Sequence, residues 1–275
     1  MISVITPVYN GMRYIESCMV NVIEQGCPDA EHIIIDGNSS DGTVEIIKQY
    51  SGKYQHIRWI SECDNGQSDA MNKGILMAKG EIIGILNVDD FYEPGALHRA
   101  LALFKNLSEP SLLVGNCNMW DDGGKIWLIN KPAHLDLIQL LTADESRFPF
   151  PVNPSAYFYH KSLHDVIGMY DINDHYLLDL DFIIRAATHR KPVYINQLFG
   201  NYRFIEGTKT FEDMKSGSGR KRFRKMIHKY RKKLPFEKRM EVFYSSTVAK
   251  FLYIVHRGLF DRTRIHHGYS KQGSP

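Results

Sequence analysis

At 275 residues, 43% apolar and 24% charged, the chain is long enough to bury a real core and too apolar to be disordered. A net charge of +3 hides an asymmetry: residues 220–239 carry eleven Lys or Arg and one acid, a local +10, so the remainder sums to −7. Four scattered cysteines (Cys18, Cys27, Cys63, Cys117) form no CxxC pair, which argues against a zinc ribbon or disulfide framework; with no leader-like start and no apolar run of spanning length, the expected location is the cytoplasm.

The first half alternates strand and helix signals. Residues 2–8 are a β-rich run, and 11–25 place Ile15, Met19, Val22 and Ile23 on one helical face. An apolar strand at 32–37 is followed by Asp41, a helix cap for the stretch beginning at Gly42. Residues 57–62 predict a third strand, 68–80 a helix, 81–86 a fourth strand, 94–105 a helix opened by Pro94, and 111–116 a fifth strand. Apolar strands alternating with helices predict a mostly parallel, Rossmann-like sheet with helices on both faces. Ligands of such sheets sit beyond the carboxyl ends of the strands. There lie "TPVYNG", "DGNSSDGT", "ECDNGQSDAMNKG" and "NVDD". No GxGxxG or Walker loop occurs, which excludes the usual dinucleotide and P-loop readings.

Beyond residue 117 the pattern loosens. Residues 148–160 are rich in Pro and aromatics, 176–190 predict a helix that begins with acids, and 197–210 predict a strand followed by a mobile loop. Residues 220–260 predict two helices broken near Pro235. In the first of them Phe223, Ile227, Tyr230 and Leu234 recur at helical spacing among Lys and Arg, an amphipathic basic pattern that suits an anionic membrane surface. No recognition module accompanies the patch, so no nucleic-acid partner is expected.

"SVITPVYNG", "IIIDGNSSDGT", "NGQSDAMNKG", "ILNVDD" and "LDLDF" occur in the order found in family 2 glycosyltransferases, and the chain resembles that family over residues 1–210. The resemblance implies a GT-A fold, with 1–117 as the nucleotide-sugar half, 118–210 as the acceptor half, and 211–275 as a basic helical extension. It implies an inverting transferase that moves a sugar from a nucleotide sugar, UDP-linked, to a glycan or lipid-linked acceptor in bacterial-type surface polysaccharide synthesis, at the cytoplasmic face of the membrane.

The same resemblance assigns roles. Thr6, Pro7 and Tyr9 would hold the base, Tyr9 offering a flat apolar face. Asp36 would accept from the base, while Asp41 is structural. Gly66 opens a helix N-terminus that favours anions, with Asp69 and Lys73 on that helix near the base or ribose. Asp90 would ligate Mn²⁺ or Mg²⁺ at the diphosphate. Asp89 would contact the ribose or donor sugar, or ligate the metal through water. Asn87 stands where many relatives carry an acid. Asp179 would be the general base and Asp181 its support, with the reverse assignment open. Asn153 would face the acceptor, and Arg203 and Lys209 would reach the diphosphate from a closing loop. A non-catalytic nucleotide-sugar-binding protein and a nucleotidyltransferase are the competing readings.

Overall fold

The computed structural model describes residues 1–144 and 149–246. Among the described residues nine strands and ten α-helices run along the chain. The first half comprises β1 (Ile2–Val8), α1 (Met12–Glu24), β2 (Ala30–Asp36), α2 (Thr43–Ser51), β3 (Ile57–Ser61), α3 (Gln67–Met77), β4 (Ile82–Ile85), β5 (Phe91–Tyr92) and α4 (Ala96–Phe104). The second half comprises β6 (Leu112–Trp120), β7 (Ile126–Asn130), α5 (Leu137–Thr142), a 3₁₀ turn at Pro154–Ala156, β8 (Tyr157–His160), α6 (Leu163–Ile167), α7 (Leu178–His189), β9 (Val193–Arg203), α8 (Lys209–Ser216) and α9 (Ser218–Lys233). Residues 236–246 are again helical.

One sheet holds all nine strands, in the order β3-β2-β1-β4-β8-β6-β9-β5, with β7 paired to β6. The parallel reading holds from β3 to β4. β1 lies at the centre of that half, buried along its whole length, between β2 and β4. Its alternate side chains feed two cores. Ile5 packs with Met71, Ile83, Tyr157 and Phe182 on one face. Ile2 and Val4 pack with Cys18, Val22, Leu97 and Phe104 on the other.

After β4 the sheet becomes mixed. β8 enters antiparallel to both β4 and β6, so 111–116 is not the next parallel strand. β6 rejoins parallel pairing with β9 and crosses residue 117 without interruption, so the two halves of the domain share one sheet. A short antiparallel strand of aromatic residues has no period to betray it; Tyr157, Phe158 and Tyr159 are all fully buried. The loop expected after β9 is short, and residues 209–216 form α8.

Helix α9 does not offer its apolar face outward. Ile227 and Tyr230 are buried against Ile138, Leu141 and Ile184, and Phe223 meets Phe150 edge-on with ring centroids 5.3 Å apart. Arg231 donates to the carbonyls of Leu141 and Thr142. The amphipathic pattern therefore records docking onto the domain, and what faces solvent is the basic side. Among the described residues no helix is long and apolar enough to cross a membrane.

Candidate active site

A cleft of about 350 Å³ opens at the carboxyl ends of β1 and β4, lined by Pro7, Val8, Tyr9, Asp64, Gly66, Gln67, Ala70, Asn87, Val88, Asp89, Tyr202, Thr208 and Thr210. Tyr9 is 68% exposed, an unusual position for a large aromatic ring and a suitable platform for a base. Beside it, a side chain at Gly37 would put its Cβ 2.7 Å from Asp64 Oδ2 and 3.4 Å from the Tyr9 ring, so glycine is what lets the end of β2 meet both. Thr6 does not reach the cleft: it is fully buried and bonded to His32 Nε2 at 2.9 Å. Asp36 is sealed as well. Its carboxylate accepts from Ser39 N–H at 3.0 Å and from Ser61 Oγ at 2.6 Å, with no exposed surface left for a base. Asp41 braces the starts of α1 and α2, accepting from Met12 and Thr43 N–H.

At the mouth of α3, Gly66 takes φ +101°, a conformation other residues rarely adopt. Gln67 and Ala70 face the cleft. Asp69 lies two residues from Gln67, about 200° around the helix, and so faces away. Asp69 accepts from Asn65 N–H at 3.0 Å, and Lys73, one turn on, binds Glu62 at 2.9 Å and the Cys63 carbonyl at 3.0 Å. Both residues brace the loop rather than line the cleft.

The paired acids divide their work differently from the sequence expectation. Asp90 is 1% exposed and accepts from Asn153 Nδ2 (2.7 Å), Asn87 Nδ2 (3.0 Å) and Arg203 N–H (3.1 Å). It is buried and does not line the cleft, its two oxygens being engaged by these three donors. Burial, then the neighbouring Asp89 charge, push its carboxyl well above the ordinary range. Asp89 is the acid that lines the cleft. Burial raises its carboxyl too, opposed by its own backbone N–H and by Arg203. Asn87 accepts from Gln67 Nε2 at 2.9 Å, which ties the motif to α3.

Among the described residues no group of three or more His, Cys, Asp or Glu stands together as a metal cage. None of the cleft's lining residues is Lys or Arg. Two cleft carboxylates, Asp64 and Asp89, with no cationic side chain suit a hard divalent ion completed by phosphate oxygens and water. Asp89 is the ligand that this chain would offer it.

Asp179 stands in the first turn of α7, half-buried, and accepts from the Tyr157 hydroxyl at 2.5 Å. Burial lifts its pKa to about 6, with the Tyr157 bond opposing and the Asp174 charge adding. The α7 entry is held beside the cleft. Ser68 donates to the Asp174 carbonyl at 2.9 Å, and a Cβ at Gly66 would lie 3.0 Å from His175 Nδ1. Asp181 is turned away, bonded to Arg185 Nε at 2.7 Å and to the Tyr230 hydroxyl at 2.5 Å. The two acids differ in their partners: Asp179 accepts from Tyr157, whereas Asp181 joins Arg185 and anchors α9 through Tyr230.

Asn153 is 2% exposed and engaged with Asp90 and Ser155 N–H, so it positions the acid rather than facing an acceptor. Arg203 donates to the Asp89 carbonyl at 3.0 Å, lies 4.8 Å over the Phe91 ring, and points into a second cleft of about 380 Å³. Lys209 opens α8, and its side chain lies outside the described residues. Asp64, which lines the cleft, and Tyr157, which holds Asp179, were not singled out in the sequence; Gln67 was, as part of the anion-favouring start of α3. The helix phase of α3 would have favoured Gln67 over Asp69, whereas Tyr157 carries no local signal.

The model of the family described as "Glycosyl transferase family 2" matches residues 3–154. The chain belongs to glycosyl transferase family 2. A PGL/p-HBAD biosynthesis glycosyltransferase of Mycobacterium tuberculosis is 29% identical over 211 residues, covering 75% of this chain and 78% of that protein. Chondroitin synthase of Escherichia coli is 32% identical over 127 residues, but the match spans 46% of this chain and only 18% of that protein. Among solved structures, residues 1–349 of S. aureus TarS in complex with UDP-GlcNAc superpose with a TM-score of 0.60 at 18% identity, covering 75% of this chain and 59% of that one. The mannosyltransferase PcManGT of Pyrobaculum calidifontis, in complex with GDP-Man and Mn²⁺, gives 0.50 at 21% identity, covering 74% and 56%. Both share the fold of this member of the family.

Proposed function

We propose that the protein transfers a sugar from a nucleotide sugar, UDP-linked, to a hydroxyl of a glycan or lipid-linked acceptor, with inversion at the anomeric carbon, in surface polysaccharide synthesis. The observation that carries this is a cleft presenting the exposed Tyr9 ring and the Asp89 carboxylate, beside which α3 holds the entry of α7, whose first turn carries a half-buried Asp179 with its pKa lifted to about 6. In this reading the base lies on Tyr9 and the diphosphate reaches Asp89. Mn²⁺ or Mg²⁺ held there would set positive charge against the leaving diphosphate.

Asp179 takes the proton of the acceptor hydroxyl as its oxygen bonds to the anomeric carbon. The bond from that carbon to the phosphate oxygen breaks, and the nucleoside diphosphate leaves. A base with a pKa near 6 is ionised at neutral pH and still basic enough to accept the proton. A single base suffices for one displacement, which supports inversion. UDP-GlcNAc bound to TarS supports a UDP-linked donor, GDP-Man bound to PcManGT keeps guanosine in play, and chondroitin synthase supports a glycan product.

Calorimetric titration of UDP and of GDP, each with and without Mn²⁺, on wild type and Asp89→Ala tests the donor side. UDP binding that needs Mn²⁺ and Asp89 supports the proposal; binding indifferent to both refutes the diphosphate assignment. A nucleotide-sugar-binding protein without turnover is the second reading, favoured by Asn87, whose neutral amide is engaged with Gln67 and Asp90. Transfer by wild type, absent in an Asp179→Asn variant that still binds donor, excludes it.

A further inference from the structure

The β6–β7 hairpin presents a surface that the transfer reaction does not use. Four consecutive large apolar residues on β7 stand in solvent: Ile126 (45% exposed), Trp127 (51%), Leu128 (44%) and Ile129 (47%). Side chains alternate along a strand, so both faces of β7 are apolar and both are about half exposed, Trp127 keeping its ring 6.3 Å from that of Phe204. Among the described residues β7 pairs only with β6, so its outer edge is open as well. Natural edge strands are usually blunted with charge. Here the charges flank the strand instead, as exposed Lys125 and Lys131. The acids of the turn, Asp121 and Asp122, belong to the wall of the second cleft.

A cationic surface adjoins this strand. Asn130, at the end of β7, donates to the Phe150 carbonyl at 2.9 Å, and the Phe150 ring meets Phe223 of α9. The outward residues of α9 include Arg220, Lys221, Arg224, Lys225 and Lys229, all exposed. A half-exposed apolar strand carrying a Trp, bracketed by lysines and adjoining a basic helix, matches the two requirements of an anionic bilayer surface: apolar side chains for the acyl boundary and cations for the headgroups.

We propose that β7 inserts into an anionic lipid surface, with Trp127 and Leu128 entering the acyl boundary and the exposed face of α9 held against the headgroups. Insertion of a strand, rather than of an amphipathic helix, follows from where the apolar side chains are free: α9 has buried its own against the domain. The proposal does not depend on the transfer reaction.

The test uses the full chain and vesicles of phosphatidylcholine alone or equimolar with phosphatidylglycerol. Wild type is expected to sediment with the anionic vesicles only. Trp127→Gln/Leu128→Gln and Arg224→Gln/Lys225→Gln are each expected to weaken that binding roughly tenfold or more. Brominated acyl chains should quench wild-type tryptophan fluorescence, and the quenching should fall sharply in Trp127→Phe, which still binds. Unchanged UDP titrations in the variants would show that the domain remains folded. Vesicle binding that survives Trp127→Gln/Leu128→Gln, or binding without quenching, overturns insertion. So does a wild-type dimer that this double variant turns into monomer while vesicles bind neither form, because β7 would then be covered by a second copy.

Discussion

Asn153 donates to Asp90 at 2.7 Å from a turn 63 residues further along the chain, and that bond holds the buried acid in place. Asp90→Ala would strand the Asn153 amide and the Arg203 N–H, and unpaired buried donors cost about 1–3 kcal/mol. The expected result is a melting temperature lower by roughly 2–4 °C per kcal/mol. Differential scanning calorimetry on the apo protein reads this directly. Asp89→Ala, by contrast, should leave the melting temperature nearly unchanged and abolish the Mn²⁺-dependent part of nucleotide affinity.

For Asp179 the pH dependence has a definite sign. The folded pKa of about 6 lies above the ordinary 3.8, so protonation inactivates the base and kcat/KM should fall on the acid side with a limb near 6. Tyr157→Phe removes the bond that opposes the rise, so the limb should move to higher pH. A limb that stays in place in Tyr157→Phe would mean that it belongs to another group.

Stability should move the other way. A carboxyl raised by burial penalises the charged fold: the penalty is absent below pH 4, develops as pH rises, and is complete above about 6. Asp179→Asn should therefore be more stable than wild type at pH 7, on the order of 1 kcal/mol once partial exposure is discounted, and equal to it at pH 4. Transfer should fall by about a hundredfold or more in the same variant. Thermal melts at the two pH values, beside a transfer assay, check both.

The exposed ring of Tyr9 gives a simpler test. Tyr9→Ala should weaken nucleotide binding by about 1–3 kcal/mol, the usual worth of stacking one base on an aromatic ring, and leave the melting temperature unchanged. Calorimetry with UDP is the measurement; unchanged affinity would place the base elsewhere.

Tyr230 and Asp181 tie the basic helix to α7. Tyr230→Phe should lower stability by about 1–3 kcal/mol through the buried carboxylate left short of a donor, with UDP affinity unchanged. A loss of affinity in that variant would show that α9 shapes the nucleotide site.

How much of this was legible in the sequence differs by position. The parallel half was readable because β1, β2 and β4 are short, apolar-rich, β-branched runs ended by polar turns, and those turns carry the cleft. Tyr9, Pro7, Gly66, Asn87 and Asp89 were legible because their place in the chain fixes their place on the edge. What misled was side-chain direction. Asp36, Asp90 and Asn153 sit at the right points of the backbone, but pairing with distant residues draws them inward. Such pairings span tens of residues and leave no local trace. β8 was hidden for the same reason: its neighbours β4 and β6 are decided by the whole sheet.

The turn that carries Asn153 runs directly into β8, whose first residue, Tyr157, holds Asp179. Four residues of chain therefore set the distance between the braces of Asp90 and of Asp179. In enzymes whose two sites ride on separate lobes, that spacing is restored at each closure. Here it is a covalent ruler, and inserting a single residue between 153 and 157 would shift the two braces out of step without disturbing either acid's own segment.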